Sequence, residues 1–148
     1  MFVASVLAAD GLVHAYWTTG ARWPASDAET LSQLMLGAGD VPFTPIVVGP
    51  LAAILLLGAL AVTGYANRRS AIGRLLPRRL LKAGMLAMTA AFALRALAGI
   101  AMVFMDTPGA AFFWLNLLVY TPLCWALAAA TVVTLGAGTG VDVPAERA

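Results

Sequence analysis

The sequence predicts an all-α integral membrane protein, a bundle of four transmembrane helices with both termini in the cytoplasm. Of its 148 residues 61% are hydrophobic and only 11% charged, and the mean hydropathy is +0.89. Soluble domains carry roughly 25% charged residues, so this chain has too little charge to cover a water-facing surface. Four apolar segments approach the ~20 residues needed to cross a bilayer. We therefore interpret residues 1–148 as a single membrane domain.

The first predicted span, 2–19, is apolar except for Asp10 and His14. It has no basic residue before its apolar stretch, and Asp10 interrupts that stretch. A secretory signal requires both a basic start and an uninterrupted apolar core. We expect a retained first helix, short for a span.

The outer loop, 20–45, contains six Gly and Pro residues and cannot form one continuous helix. Within it Ser26 is followed three positions later by Glu29, the spacing of a capping box. Leu31, Leu34 and Met35 then share one helical face. The pattern predicts a short helix lying on the membrane surface.

The remaining chain alternates long apolar segments with short polar ones. Only Arg95 interrupts the third span. The three further spans are predicted at 46–66, 84–105 and 111–135, separated by a basic loop at 67–83 and a turn at 106–109, and followed by a polar tail at 136–148.

The basic residues orient these spans. The basic loop carries a net charge of +6, whereas the outer loop carries −2. Loops rich in Lys and Arg stay in the cytoplasm, which places both termini inside and the loop 20–45 outside. The basic loop is interpreted first as this topology signal, and a site for anionic lipid head groups is the alternative.

Polar side chains inside the bilayer are costly and normally face the bundle interior. On the first helix Asp10, His14 and Trp17 share one face, and helical spacing places Asn116, Tyr120 and Cys124 on one face of the fourth. From the helical rise, Asp10 and Arg95 each lie about 15 Å below the outer surface. We expect five of these side chains to converge in the outer half of the bundle: Asp10, His14, Arg95, Asn116 and Tyr120.

Each group also has a structural interpretation. Asp10 and Arg95 are most simply an ion pair that fixes helix register, and Trp17 and Trp23 an aromatic belt at the membrane boundary. Cys124, the only cysteine, lies among apolar neighbours where a thiol is inert. With one histidine in the chain, neither a metal site nor any other cofactor is expected.

The sequence contains three short motifs: His14 to Trp17 followed by Gly20 to Trp23, Leu94 to Ala96, and Tyr120 to Cys124. Together these motifs resemble the domain-of-unknown-function 3995 family of small bacterial four-helix membrane proteins. The resemblance covers nearly the whole chain. It implies a bacterial cytoplasmic (inner) membrane protein whose motif residues cluster at the outer helix ends, and it implies no activity. It also leads us to expect an Asp where Asn116 stands.

The leading hypothesis is a protein that binds an amphipathic small molecule, such as a lipid, isoprenoid or sterol-like compound, in an outer-leaflet pocket. One alternative is an integral membrane isomerase or cyclase in which Asp10 and His14 perform acid–base chemistry. Another is an accessory subunit whose polar cluster is only structural. Membrane lipids are the expected partners, nucleic acid is not, and a homo-oligomer or a membrane partner stays open. The predicted pocket is lined by Asp10, His14, Trp17, Arg95, Asn116 and Tyr120 and capped by Arg22 and Trp23.

Overall fold

The computed structural model describes residues 1–39, 41–105 and 110–139. For residues 138 and 139 it describes the backbone only. All regular structure in this part of the chain is helical. The predicted turn at 106–109 and residues 140–148 of the predicted tail lie outside the described residues. Residues 136–139, also predicted as tail, are instead the last residues of a helix. In chain order the helices are α1 (Phe2–Thr18), α2 (Ala28–Leu36), α3 (Pro45–Ala66), α4 (Ala71–Leu75), α5 (Arg78–Met105), α6 (Ala111–Leu115), a π-helical turn (Asn116–Tyr120) and α7 (Thr121–Thr139).

Three stretches of helix are long and apolar enough to cross a membrane. They are Pro45–Ala66, Arg78–Met105 and Ala111–Ala137, the last of which runs through α6, the π-turn and α7. At 17 residues α1 is shorter than the ~20 residues of a usual span. The described fold is therefore an all-helical membrane bundle with three candidate spans and a fourth, shorter helix packed on them.

The long helices pack as two principal pairs. α1 lies along α3, and α5 lies along α7, with weaker contacts of α3 with α5 and of α1 with α7. The first pair is close at Gly11, where an added Cβ would come within 2.8 Å of the Leu56 side chain. This arrangement leaves α1 and α5 on different pairs rather than side by side.

Two apolar cores lie at opposite ends of the bundle. The larger core joins all four long helices through residues such as Leu7, Leu55, Met85 and Leu127. The smaller core lies beneath the segment between α1 and α3 and is centred on Trp17, Leu31 and Val48. Between the two cores, α1, α5 and the π-turn carry polar side chains, and this level holds the candidate site.

The segment predicted as a basic loop, 67–83, is largely helical. α4 occupies Ala71–Leu75, and α5 begins at Arg78 rather than near residue 84. Pro77 directly precedes α5, and its carbonyl accepts from the Leu80 and Leu81 amides. A proline just before a helix costs no intrahelical bond, so α5 can start there and carry three basic residues on its first turns.

The predicted short helix exists as α2, but its cap is Asp27 and the Ser26 capping box is wrong. The Asp27 carboxylate accepts from the Thr30 backbone N–H at 2.8 Å and from the Thr30 hydroxyl at 3.0 Å. Ser26 instead donates its hydroxyl to the same carboxylate at 2.8 Å. The Thr30 backbone bond, followed by the two hydroxyl bonds, holds the pKa of Asp27 below its ordinary range.

Replacing Asp27 with Ala is expected to accelerate amide hydrogen exchange across α2 about fivefold, because the free N–H groups of the first turn lose their acceptor. Asp27→Asn should keep protection, since Asn caps equally well. The lowered pKa means that the wild-type cap is at full strength above the ordinary Asp pKa and weakens as the pH falls through the lowered value. Exchange that is unchanged in Asp27→Ala, or equally acid-sensitive in Asp27→Asn, would contradict this assignment.

Candidate functional site

The polar level between the two apolar cores contains five of the predicted site residues. We call this set the polar layer: Asp10, His14, Arg95, Asn116 and Tyr120. It receives side chains from α1, α5 and the π-turn. All but Asp10 are buried or half-buried.

The side chains of Asp10 and His14 contact each other one helical turn apart on α1. His14 Nδ1 lies 3.2 Å from Asp10 Oδ1 and 2.9 Å from the Asp10 carbonyl oxygen. With Nδ1 as the donor, Nε2 is left as the acceptor of the neutral ring. The His14 side chain is 16% exposed and that of Asp10 is 50% exposed. The imidazole is thus oriented by a carboxylate that is itself open to the surroundings.

Asn116 is fully buried and connects α5 to the π-turn. Its Nδ2 donates to the Gly99 carbonyl at 2.8 Å, and its Oδ1 accepts from Arg95 Nη1 and from the Thr121 hydroxyl, each at 3.3 Å. The residue at which the resemblance led us to expect an Asp is therefore a neutral amide that uses both of its polar atoms. A carboxylate here would have no hydrogen to donate to the Gly99 carbonyl.

The π-turn changes the predicted face of the fourth helix. The Thr121 N–H bonds to the Asn116 carbonyl five residues back, in place of the four of an α-helix. The adjacent Pro122 has no N–H to offer the carbonyl four residues earlier, so an α-helical ladder is already broken at this point. As a result the Thr121 hydroxyl reaches Asn116 Oδ1, five residues earlier in the chain.

The predicted ion pair between Asp10 and Arg95 is also wrong. Among the described residues, the ion pair formed by Asp10 is with His14, and Arg95 bonds to Asn116. The helix pairing explains the difference, because α1 packs along α3 while α5 packs along α7. Each of the two charged side chains therefore has a partner other than the one that the sequence predicted.

Tyr120 joins the polar layer to α2. Its hydroxyl donates to the Leu34 carbonyl at 3.2 Å, with Met35 Sδ at 3.3 Å. Its ring is also tilted against Phe112, with centroids 6.4 Å apart. α2 is thereby held over the end of the bundle, above the polar layer.

Trp17 is a buried support, so its interpretation as part of a lipid-facing belt is wrong. It is 4% exposed, and its indole N–H donates to the Trp23 carbonyl at 2.9 Å. Its ring meets His14 edge-on at 4.9 Å and Phe43 at 5.6 Å. The side chains of Trp23 and Arg22 are exposed.

Sequence reasoning missed two residues of this region, Gly99 and Thr121. A Cβ on Gly99 would overlap with the Thr121 hydroxyl and lie 3.1 Å from both Arg95 Nη1 and Asn116 Oδ1. The available signal for Gly99 was its spacing, one helical turn after Arg95. Thr121 could not be found from α-helical spacing, because its contact with Asn116 depends on the π-turn.

A cavity of about 470 Å³ lies between α2 and the start of α6. No predicted site residue is among those that line it: Thr30, Gln33, Leu34, Gly37, Gly39, Ala110, Ala111 and Phe112. Within the described ranges, no three His, Cys, Asp or Glu side chains come together as a metal site would require. The chemistry that the polar layer offers is hydrogen bonding, charge and proton transfer.

These features define a class: a small multi-helix membrane protein with a polar layer between two apolar cores. The chain belongs to the family described as protein of unknown function (DUF3995), whose model matches residues 7–131. This match confirms the family resemblance, and the matched range includes every predicted site residue. No curated protein and no solved structure matches the chain.

Gly99→Ala is expected to destabilise the protein by about 2 kcal/mol, the cost of overpacking a close helix contact. The double variant Gly99→Ala/Thr121→Ala should recover part of that loss, because the overlapping hydroxyl is gone. Gly84→Ala on the same helix is the control, since its Cβ would meet only Ala61 at 3.6 Å. Unfolding in mild detergent measures all three, and equal stability of Gly99→Ala and Gly84→Ala would contradict the close approach.

Proposed function

We propose that this chain is a four-span protein of the bacterial inner membrane that binds an amphipathic small molecule in its outer leaflet. In this proposal α1 is the fourth span, both termini are cytoplasmic and α2 lies outside. The concentration of basic residues at 68–82 supports the orientation. Packing of α1 along α3, from Val3 at one end to Trp17 at the other, supports its place in the bundle.

The observation that carries the proposal is that Asp10 and Arg95, the Asp and Arg side chains of the polar layer, do not pair with each other: Asp10 contacts His14, and Arg95 bonds to Asn116. A charged side chain at membrane depth costs several kcal/mol unless it is neutralised or hydrogen-bonded. The bonds of Arg95 to Asn116 and of Asp10 to His14 meet that requirement only in part. A ligand group that accepts from the guanidinium and donates to the carboxylate completes both sets of bonds.

The half-exposed Asp10 indicates the route by which such a ligand enters. Contacts between α1 and α7 are sparse compared with those of α1 with α3. Tyr120 in the π-turn and Cys124 in α7 are half-buried. A molecule with a polar head and an apolar body can enter from the lipid side with its head against Asp10 and its body among the acyl chains. This geometry favours lipid-like ligands over water-soluble ones.

The purified protein is expected to retain an amphipathic molecule that organic extraction and mass spectrometry detect. Arg95→Met and Asp10→Asn should each lower its occupancy about tenfold, the loss of one charge-assisted hydrogen bond. Asn116 keeps the Thr121 hydroxyl as a donor in Arg95→Met, so the fold should survive. The matched control is Leu94→Ala, which alters an exposed neighbour on the same helix.

Equal occupancy in wild type, Arg95→Met and Asp10→Asn would overturn the binding proposal. A wild-type protein that carries no ligand and co-purifies with a stoichiometric membrane partner would favour the accessory-subunit alternative instead.

A second candidate function, acid–base catalysis on the bound molecule, is favoured by the Asp10–His14 geometry. A carboxylate that holds Nδ1 fixes the tautomer and leaves Nε2 available as a general base. No described residue hydrogen-bonds to Nε2. The reaction class is proton abstraction and return, as in an isomerase or a cyclase.

Deuterium uptake tests this second candidate. Wild-type protein in vesicles of total membrane lipid in D₂O should exchange a proton of its ligand, which mass spectrometry detects. His14→Gln should slow the exchange at least ~100-fold, the usual contribution of a general base, while leaving ligand occupancy largely intact. Ser5→Ala, at an exposed position of the same helix, serves as the control. Equal uptake in wild type and His14→Gln would exclude acid–base catalysis by this pair.

A further inference from the structure

The segment that joins α3 to α5 has a fixed shape at the opposite end of the bundle from α2. We call residues 67–82 the basic platform. The Ser70 hydroxyl oxygen accepts from the Gly73 N–H at 3.0 Å and so caps α4, and the Arg68 guanidinium donates to the Leu76 carbonyl at 3.2 Å. Gly73 is buried against the chain, since an added Cβ would lie 2.9 Å from the Gly64 carbonyl oxygen. The platform is therefore a folded element.

The platform carries a high density of positive charge. It contains six basic residues, and the sequence has no Asp or Glu between positions 41 and 105. Arg78 lies over the Tyr65 ring, with its guanidinium carbon 5.7 Å from the ring centroid. Four further basic side chains are exposed and make no hydrogen bond or ion pair with a described residue: Arg69, Arg74, Arg79 and Lys82.

Exposed leucines lie beside these charges. Leu75 is 77% exposed next to Arg74, and Leu80 is 56% exposed next to Arg79. The platform lies at the end of two candidate spans, α3 and α5, where lipid head groups meet the acyl chains. Apolar and basic side chains side by side at that depth are typical of segments that contact both parts of an anionic lipid.

We propose that the basic platform is a binding site for anionic phospholipid. The lipid phosphate lies against Arg74, Arg79 and Lys82, while Leu75 and Leu80 enter the acyl-chain boundary. A topology signal requires only an excess of basic residues in a loop. It requires neither the capped turn of α4, nor the anchoring of Arg68 and Arg78, nor exposed leucines between the charges. The proposal is independent of the polar layer, which lies at the other end of the larger apolar core.

The test compares lipid retention by native mass spectrometry, with equal amounts of phosphatidylglycerol and phosphatidylcholine added to the purified full chain. Wild type should retain phosphatidylglycerol preferentially. In Arg74→Gln/Arg79→Gln/Lys82→Gln the ratio of retained phosphatidylglycerol to retained phosphatidylcholine should fall about tenfold. The triple variant keeps +3 in this segment against −2 in the outer loop, so its orientation should be unchanged. Glu29→Gln, which also removes one exposed charge but lies outside the platform on α2, is the control.

Equal retention of the two lipids by wild type, or an undiminished preference in the triple variant, would overturn the proposal. If the triple variant does not fold, Arg74→Lys/Arg79→Lys should keep the preference, and Leu75→Ser should weaken it. In the same samples, phosphatidylglycerol should raise the melting temperature of delipidated wild type more than phosphatidylcholine does. An equal rise would also overturn the assignment.

Discussion

The hydrogen bonds of Asn116 are the interaction on which the rest of the site depends. A buried primary amide in an apolar bundle is tolerated only when its N–H and its oxygen both find partners. Gly99 supplies the acceptor through its carbonyl, and Arg95 and Thr121 supply the donors. These bonds hold the arginine at a fixed level of α5 and bind the π-turn to the neighbouring helix. The absence of a side chain at Gly99 allows the helices to come that close.

The polar layer is confined by apolar packing on both sides. Toward the basic platform, the larger core joins all four long helices. Toward α2, a smaller core around Trp17 closes the bundle, and Tyr120 bonds to the α2 backbone. Since apolar side chains pack on both sides, the charges of Asp10 and Arg95 lie between regions of low polarity, where an incomplete set of partners is costly. This is the physical basis for expecting a ligand there.

The two ends of the molecule carry different chemistry. The polar layer presents a half-exposed carboxylate together with a half-buried imidazole and a half-buried guanidinium, which suits recognition of one polar head. The basic platform presents four exposed cations and two leucines on a folded turn, which suits a charged membrane surface. The two proposals concern different residues, so either can fail without affecting the other.

The sequence alone determined the membrane class, the family and the polar residues of the candidate site, because hydropathy, charge placement and short motifs are local properties of the chain. It also indicated α2, though it assigned the cap of α2 to Ser26 rather than Asp27. The partners of the polar residues were decided only by the tertiary structure. Depth along a helix placed Asp10 level with Arg95, but the pairing of α1 with α3 and of α5 with α7 kept them apart. The π-turn brought Thr121 to Asn116, and the segment between α1 and α3 buried Trp17. Such partners follow from helix rotation and neighbour choice, which no local pattern specifies.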